Sequence, residues 1–147
     1  MHQFDLKNKT AVITGGAQGF GLDIAKKFLS SGSKVFIWDI DEKELLKATK
    51  EIKNSNLNYN VVDVSNFDQV QNVVNEISLK NKIDILINNA GITGPTAELW
   101  NYNVKDWNSI IDINLHGTFY CCKSIVPHMI KNNYGRIVNI ASVAGKD

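Results

Sequence analysis

The chain is 147 residues long, enough for one domain with a buried core, and its 44% apolar and 21% charged residues are ordinary for a globular protein. A formal net charge of +1 gives no general attraction to nucleic acid or to an anionic membrane surface, so neither is an expected partner and recognition must be local. The opening MHQFDLKNKT lacks the apolar core of a signal peptide and no apolar run could span a bilayer, which makes a cytoplasmic protein the expectation.

The first short β-rich run is Ala11–Thr14 (AVIT). It leads into Thr14-Gly15-Gly16-Ala17-Gln18-Gly19-Phe20-Gly21, and a helix with Leu22, Ala25, Phe28 and Leu29 on one apolar face begins at once. In such a loop Gly15 lets the chain turn as it leaves the strand. Gly19 removes a side chain where a diphosphate could approach, and Gly21 lets the helix pack closely on the sheet. The helix start offers free N–H groups and a positive dipole end to an anion. The same pattern is also compatible with a glycine-rich turn that holds no ligand. Its G-x-x-x-G-x-G spacing lacks the Lys-Ser/Thr ending of a P-loop, which disfavours ATP or GTP hydrolysis.

The second run, Lys34–Trp38 (KVFIW), ends at Asp39. An acid there can accept hydrogen bonds from both hydroxyls of an adenosine ribose and would repel a 2′-phosphate. Neither Gln18 nor Ile40 supplies the positive charge that such a phosphate requires, so NAD is favoured over NADP. Asp39 can equally be an ordinary strand-end acid, with Asp41 capping the helix marked by Leu45, Ala48 and Ile52. The third run, Asn58–Val62 (NYNVV), is followed by Asp63-Val64 and by a helix with Phe67, Val70, Val74 and Ile77 on one face, for which Asp63 or Ser65 is the expected cap.

The fourth run, Ile83–Asn88 (IDILIN), leads into Asn89-Ala90-Gly91, small and polar as a strand end facing a ligand must be. The longest helical pattern follows, with Trp107, Ile110, Ile111, Asn114, Thr118, Cys121, Cys122, Ile125 and Met129 at three- and four-residue steps. Asn114 is its odd member and needs hydrogen-bond partners if buried. The only two cysteines lie adjacent on this stripe and read as buried thiols, not as a disulfide framework or a metal site, so no metal is expected. The fifth run, Arg136–Ile140 (RIVNI), delivers Ser142 to its carboxyl end. Strands without clean alternation, separated by amphipathic helices, imply an α/β fold: a doubly wound parallel sheet with right-handed crossovers, Rossmann-like, in strand order 3-2-1-4-5.

Five of these features together resemble the short-chain dehydrogenase/reductase family. Thr14-Gly15-x-x-x-Gly19-x-Gly21 is similar to its cofactor loop, Asp63-Val64 to the pair that contacts adenine, and Asn88-Asn89-Ala90-Gly91 to its N-N-A-G signature. Asn114-Leu115-x-Gly117 stands where the family has its catalytic-helix asparagine, and Ile140-Ala141-Ser142 where it has its serine. The resemblance implies NAD bound by Gly15, Gln18, Gly19, Phe20, Gly21, Asp39, Ile40, Asp63, Val64, Asn89, Ala90 and Gly91. It further implies hydride transfer between nicotinamide and a small-molecule alcohol or carbonyl substrate. Ser142 would hold and polarise the substrate oxygen, and Asn114 would open its helix and hold a water in a proton relay.

The family's acid/base tyrosine and its lysine form Y-x-x-x-K one loop further on. None of Tyr59, Tyr102, Tyr120 and Tyr134 is followed by lysine at that spacing, and Tyr134 precedes the fifth strand, at its amino end. The resemblance thus implies an N-terminal portion: residues 1–147 as one dinucleotide-binding domain, incomplete at its C-terminus, inactive alone and part of a homo-oligomer when full length. The loop Ile92–Trp100 resembles that of 3-oxoacyl-carrier reductases or sugar/polyol dehydrogenases. Two alternatives stay open, a non-catalytic NAD-binding module of the same fold and a methyltransferase, which also uses an acid after its second strand. Expressed by itself, the 147-residue chain is expected to be poorly soluble or partly molten, because apolar residues of the long helix and one sheet edge would be left uncovered. A sharp, reversible unfolding transition from a monomer would contradict this.

Overall fold

The computed structural model describes residues 5–142. Five strands, β1 (Thr10–Thr14), β2 (Lys34–Asp39), β3 (Leu57–Val61), β4 (Ile85–Asn88) and β5 (Arg136–Asn139), form one parallel sheet in the order β3-β2-β1-β4-β5. The expected doubly wound α/β fold and strand order are therefore found. The helices are α1 (Gly19–Ser30), α2 (Glu42–Ile52), α3 (Phe67–Ser78), α4 (Val104–Ile111) and α5 (Gly117–Lys131).

Side chains alternate across each strand, and this alternation divides the core in two. Ala11, Ile13, Val35, Ile37, Ile85 and Ile87 face α1 and α2, where they pack on Ala25, Leu29, Leu45 and Ala48. Val12, Phe36, Trp38 and Leu86 face the opposite way, onto Val70, Val74 and Ile77 of α3 and Cys121, Ile125 and Met129 of α5. Because both faces are covered, β1 and β4 are buried at every position, which is why their sequences show no polar alternation. The edge strands β3 and β5 are not buried in this way.

Some boundaries differ from the sequence expectation. The fourth strand starts at Ile85 rather than Ile83, because Asp84 turns its carboxylate onto the chain: its Oδ2 accepts the Thr10 N–H at 2.9 Å, and Lys9 lies 3.6 Å from its Oδ1. The third strand starts and ends one residue earlier than expected, and the fifth ends at Asn139. Asn66, not Asp63 or Ser65, caps α3, accepting the Gln69 N–H at 3.1 Å; Asp63 is already engaged with the N–H and hydroxyl of Ser65. Asp41 caps α2 as expected, through the N–H groups of Lys43 and Glu44.

The long helix is not continuous. A π-helical turn, Asp112–His116, separates α4 from α5 and holds Asn114 at its centre. One extra residue in the turn shifts which side chains face the sheet, so Gly117 meets Val64 and Cys121 and Ile125 reach the core. A Cβ at Gly117 would stand 2.8 Å from the Val64 Cγ2, so the close approach of the helix to the segment after β3 requires glycine. Cys121 is fully buried, and burial, with the neighbouring Cys122 adding to it, raises its thiol pKa to about 12; it is a core hydrophobe rather than a nucleophile. The outward side of this region leaves Trp107, Leu115 and Phe119 exposed, and β5 pairs only with β4 among the described residues. No helix among the described residues is long and apolar enough to cross a membrane.

Candidate functional site

The carboxyl ends of β1, β2, β3 and β4 open on one side of the sheet into a cleft of about 370 Å³. Gly15 and Gln18 border it from the loop after β1, and Asp39 and Ile40 from the end of β2. Asp63 and Val64 follow β3, and Asn89, Ala90 and Gly91 follow β4. Nine of the expected cofactor-binding residues therefore meet at one cavity, at the point where strand order reverses between β1 and β4. Gly19, Phe20 and Gly21 stand beside it at the start of α1, with Phe20 exposed and Gly21 buried.

One hydrogen-bonded clasp shapes the floor of this cleft. The Thr14 hydroxyl oxygen accepts the N–H groups of Asn89 and Ala90, both at 3.0 Å. In return, the Asn89 side-chain amide donates to the carbonyls of Thr14 and Gly15, each at 3.0 Å. The glycine loop is thereby tied to the end of β4. Gly21 belongs to the same arrangement, because a Cβ there would strike the Gly15 carbonyl and come within 2.6 Å of the Asn89 amide nitrogen. Gly19 is different: it has φ +53° and nothing within 4 Å of a Cβ position, so its backbone faces open space.

Asp39 ties the other side of the loop. Its Oδ2 accepts the Ala17 N–H and its Oδ1 the Asp41 N–H, both at 3.2 Å. A carboxylate has about four acceptor positions, so two stay available at the cleft wall. No lysine or arginine lines the cleft among the described residues. The start of α1 is also chemically open. Side chains of Asp41, Asn66 and Asn103 cap α2, α3 and α4, whereas among the described residues no side chain caps α1.

Asn114 does not line the cleft; it reaches the loop that does. Its Oδ1 accepts the Ile92 N–H and its Nδ2 donates to the Ile92 carbonyl, both at 2.9 Å, a two-point grip on the backbone just after Gly91. Its own carbonyl accepts the Thr118 hydroxyl at 3.0 Å. The residue is exposed, so its place on the apolar stripe comes from the π turn and not from burial. Ser142 lies three residues beyond the end of β5, on the same side of the sheet as the cleft, and is exposed. None of the four tyrosines lines the cleft. Tyr134 sits at the amino end of β5 beneath Lys9, whose Nζ is 3.6 Å from the ring centre.

Sequence reasoning did not single out Trp38, Val62, Ile92 and Ile113, which supply apolar walls, nor the hydroxyl of Thr14 as the clasp's acceptor. For Trp38 and Val62 a signal existed in their position next to Asp39 and Asp63. Ile113 is brought in by the π turn, which the apolar spacing does not announce, although the family resemblance implied a local opening of the helix at Asn114.

A doubly wound sheet with its cavity at the strand-order reversal defines a dinucleotide-type fold. The profile of the short chain dehydrogenase family matches residues 9–147, and the chain belongs to that family. It is 41% identical over 140 residues to a 2-dehydro-3-deoxy-L-rhamnonate dehydrogenase (NAD(+)) of Sphingomonas sp. (strain SKA58), covering 95% of this chain and 55% of the relative. It is 39% identical over 144 residues to a 3-oxoacyl-acyl-carrier-protein reductase of Chlamydia pneumoniae, covering 96% of this chain and 58% of the relative. Among solved structures, an NAD+-bound xylitol dehydrogenase superposes with a TM-score of 0.91 at 32% identity, over 97% of this chain and 56% of that one. The chain thus spans little more than half the length of these relatives.

The clasp is testable through Thr14, which is 1% exposed. Thr14→Val keeps the shape but leaves the Asn89 and Ala90 N–H groups without their acceptor, and should cost about 1–3 kcal/mol. Thr14→Ser should recover most of it. Urea midpoints of the two variants and the parent, all in the full-length protein, measure this, and a Thr14→Val protein as stable as the parent would show that the clasp contributes nothing.

Proposed function

We propose that the protein is an NAD-dependent oxidoreductase of the short-chain dehydrogenase type, acting between an alcohol and a ketone. The observation that carries the cofactor choice is Asp39, a carboxylate with two acceptor positions left at a cleft wall that no lysine or arginine lines among the described residues. Asp39 would take the adenosine ribose hydroxyls and reject a 2′-phosphate by charge. Ile40, Asp63 and Val64 would border the adenine, with Trp38 and Val62 behind them. Gln18, Gly19, Phe20 and Gly21 would present the uncapped start of α1 to the diphosphate, where Gly19 leaves room for it. Asn89, Ala90 and Gly91 would border the nicotinamide half.

A bound nicotinamide supplies the hydride donor or acceptor. On this reading Ser142 holds the substrate oxygen, and Asn114 keeps the Ile92 backbone in place while its π turn opens the helix for a water. Among the described residues, which include all four tyrosines, no tyrosine lines the cleft. The 147 residues are therefore proposed to bind the dinucleotide and present the serine, with turnover assigned to a protein of the relatives' full length. A 3-oxoacyl or sugar/polyol-type substrate is the proposed class, by likeness to relatives with those names. The exposed Trp107, Leu115 and Phe119 support assembly of that protein as a homo-oligomer, and a cytoplasmic location is proposed with it.

The cofactor assignment is tested by Asp39→Ala in the full-length protein. NAD affinity should fall by about 10–100-fold, the range for hydrogen bonds to a charged group, while NADP affinity rises or holds. Fluorescence titrations with NADH and NADPH measure both, and an unchanged ratio of the two affinities would refute the role given to Asp39.

A further inference from the structure

We propose that Asn139 is a positioning residue for Ser142, acting through Asn88; the proposal rests on the dehydrogenase reading of the site. Asn88 and Asn139 are the last residues paired between β4 and β5. Asn88 is 5% exposed, and its side-chain amide donates to the Asn139 Oδ1 at 2.8 Å. Its backbone carbonyl accepts the Ile140 N–H at 2.9 Å, the bond that closes the ladder before Ser142. Asn88 therefore holds the outgoing end of β5 at two points, one main-chain and one side-chain.

The neighbouring Asn89 holds the glycine loop in the same manner from the other side. Successive residues of an extended chain point to opposite faces, so one dipeptide braces the cofactor loop with one side chain and the serine strand with the other. The distance between the dinucleotide and Ser142 is then set by Asn88-Asn89, with Asn139 as the acceptor that completes the brace.

The main-chain ladder with β4 holds β5 along its length, and the Asn88–Asn139 pair is the side-chain bond that adds to it at the end nearest Ser142. All four residues of β5 are exposed, and the strand pairs with β4 alone among the described residues. The Asn88 Oδ1 is buried and has no partner among the described residues, and the other group near its Nδ2 is the Cys122 sulfur at 3.4 Å, a weak acceptor. Without the Asn139 oxygen, the buried amide keeps only a thiol among the described residues, and the strand end before Ser142 loses the side-chain bond at Asn139. Reactions that depend on a fixed hydroxyl lose about 100-fold in rate for a displacement near 1 Å, whereas binding at Asp39 and the glycine loop is untouched.

The test compares Asn139→Ala with Asn139→Asp, which keeps an acceptor oxygen at the same reach, in the full-length protein. Asn139→Ala should lower kcat by about 10–100-fold with NADH affinity unchanged, and speed hydrogen exchange at the Ile140 amide. Asn139→Asp should recover most of both losses. Equal impairment of the two variants, or wild-type kcat and exchange in Asn139→Ala, would overturn the proposal. If Asn139→Ala does not fold, Asn139→Ser, whose hydroxyl stops short of Asn88, takes its place in the same comparison. Absence of NADH-linked turnover in the unmutated protein would instead count against the dehydrogenase reading, and the Ile140 exchange rates would still decide the brace.

Discussion

The structure depends on a reciprocal hydrogen-bond exchange between Thr14 and Asn89. A strand end followed by a glycine loop has too little side-chain substance to hold a shape by packing, and its backbone N–H and C=O groups are half removed from water. Thr14 resolves this with one oxygen that serves two N–H donors, and Asn89 returns its amide hydrogens to two carbonyls. The clasp fixes the loop where α1 must start, and the missing side chain of Gly21 lets that helix close against it. What is left over is the useful part: a helix start that no side chain caps and an open face at Gly19.

Asp39 works in two directions for the same reason. Its two backbone bonds, to Ala17 and Asp41, anchor the glycine loop on one side and lead into the capped start of α2 on the other. An acid used this way is a structural element whether or not a ligand is present, and its remaining acceptor capacity faces the cleft. On the proposed reading, this fixed negative charge, with no lysine or arginine lining the cleft among the described residues, is what would disfavour a phosphorylated ribose.

The fold was legible because both sheet faces are buried. Unbroken apolar runs such as AVIT and ILIN, alternating with helices of period 3.6, admit few arrangements other than a doubly wound sheet, and the strand-end residues fell where that sheet puts them. Three kinds of detail were not legible. The cap of α3 fell to Asn66 because Asp63 folds back onto Ser65, a choice among adjacent polar residues that local pattern does not rank. The π turn at Asp112–His116 leaves the apolar spacing nearly helical on both sides, so the spacing alone reads as one long helix, and only the family resemblance pointed to an opening at Asn114. The partners of Asn88, Asn89 and Asn114 lie across the sheet or on a distant loop, between 22 and 75 residues away in sequence, where spacing carries no information.

The central claim is that the residues gathered at the strand-order reversal form a dinucleotide site. It is tested most directly by following the backbone amide signals of the full-length protein during titration with NADH, and separately with S-adenosylmethionine. A dinucleotide site should give saturable shifts with NADH at Gly15, Gly19, Gly21, Ile40, Val64 and Ala90, and none with S-adenosylmethionine. Shifts at these amides with S-adenosylmethionine alone, or NADH-induced shifts confined to other parts of the sheet, would contradict it.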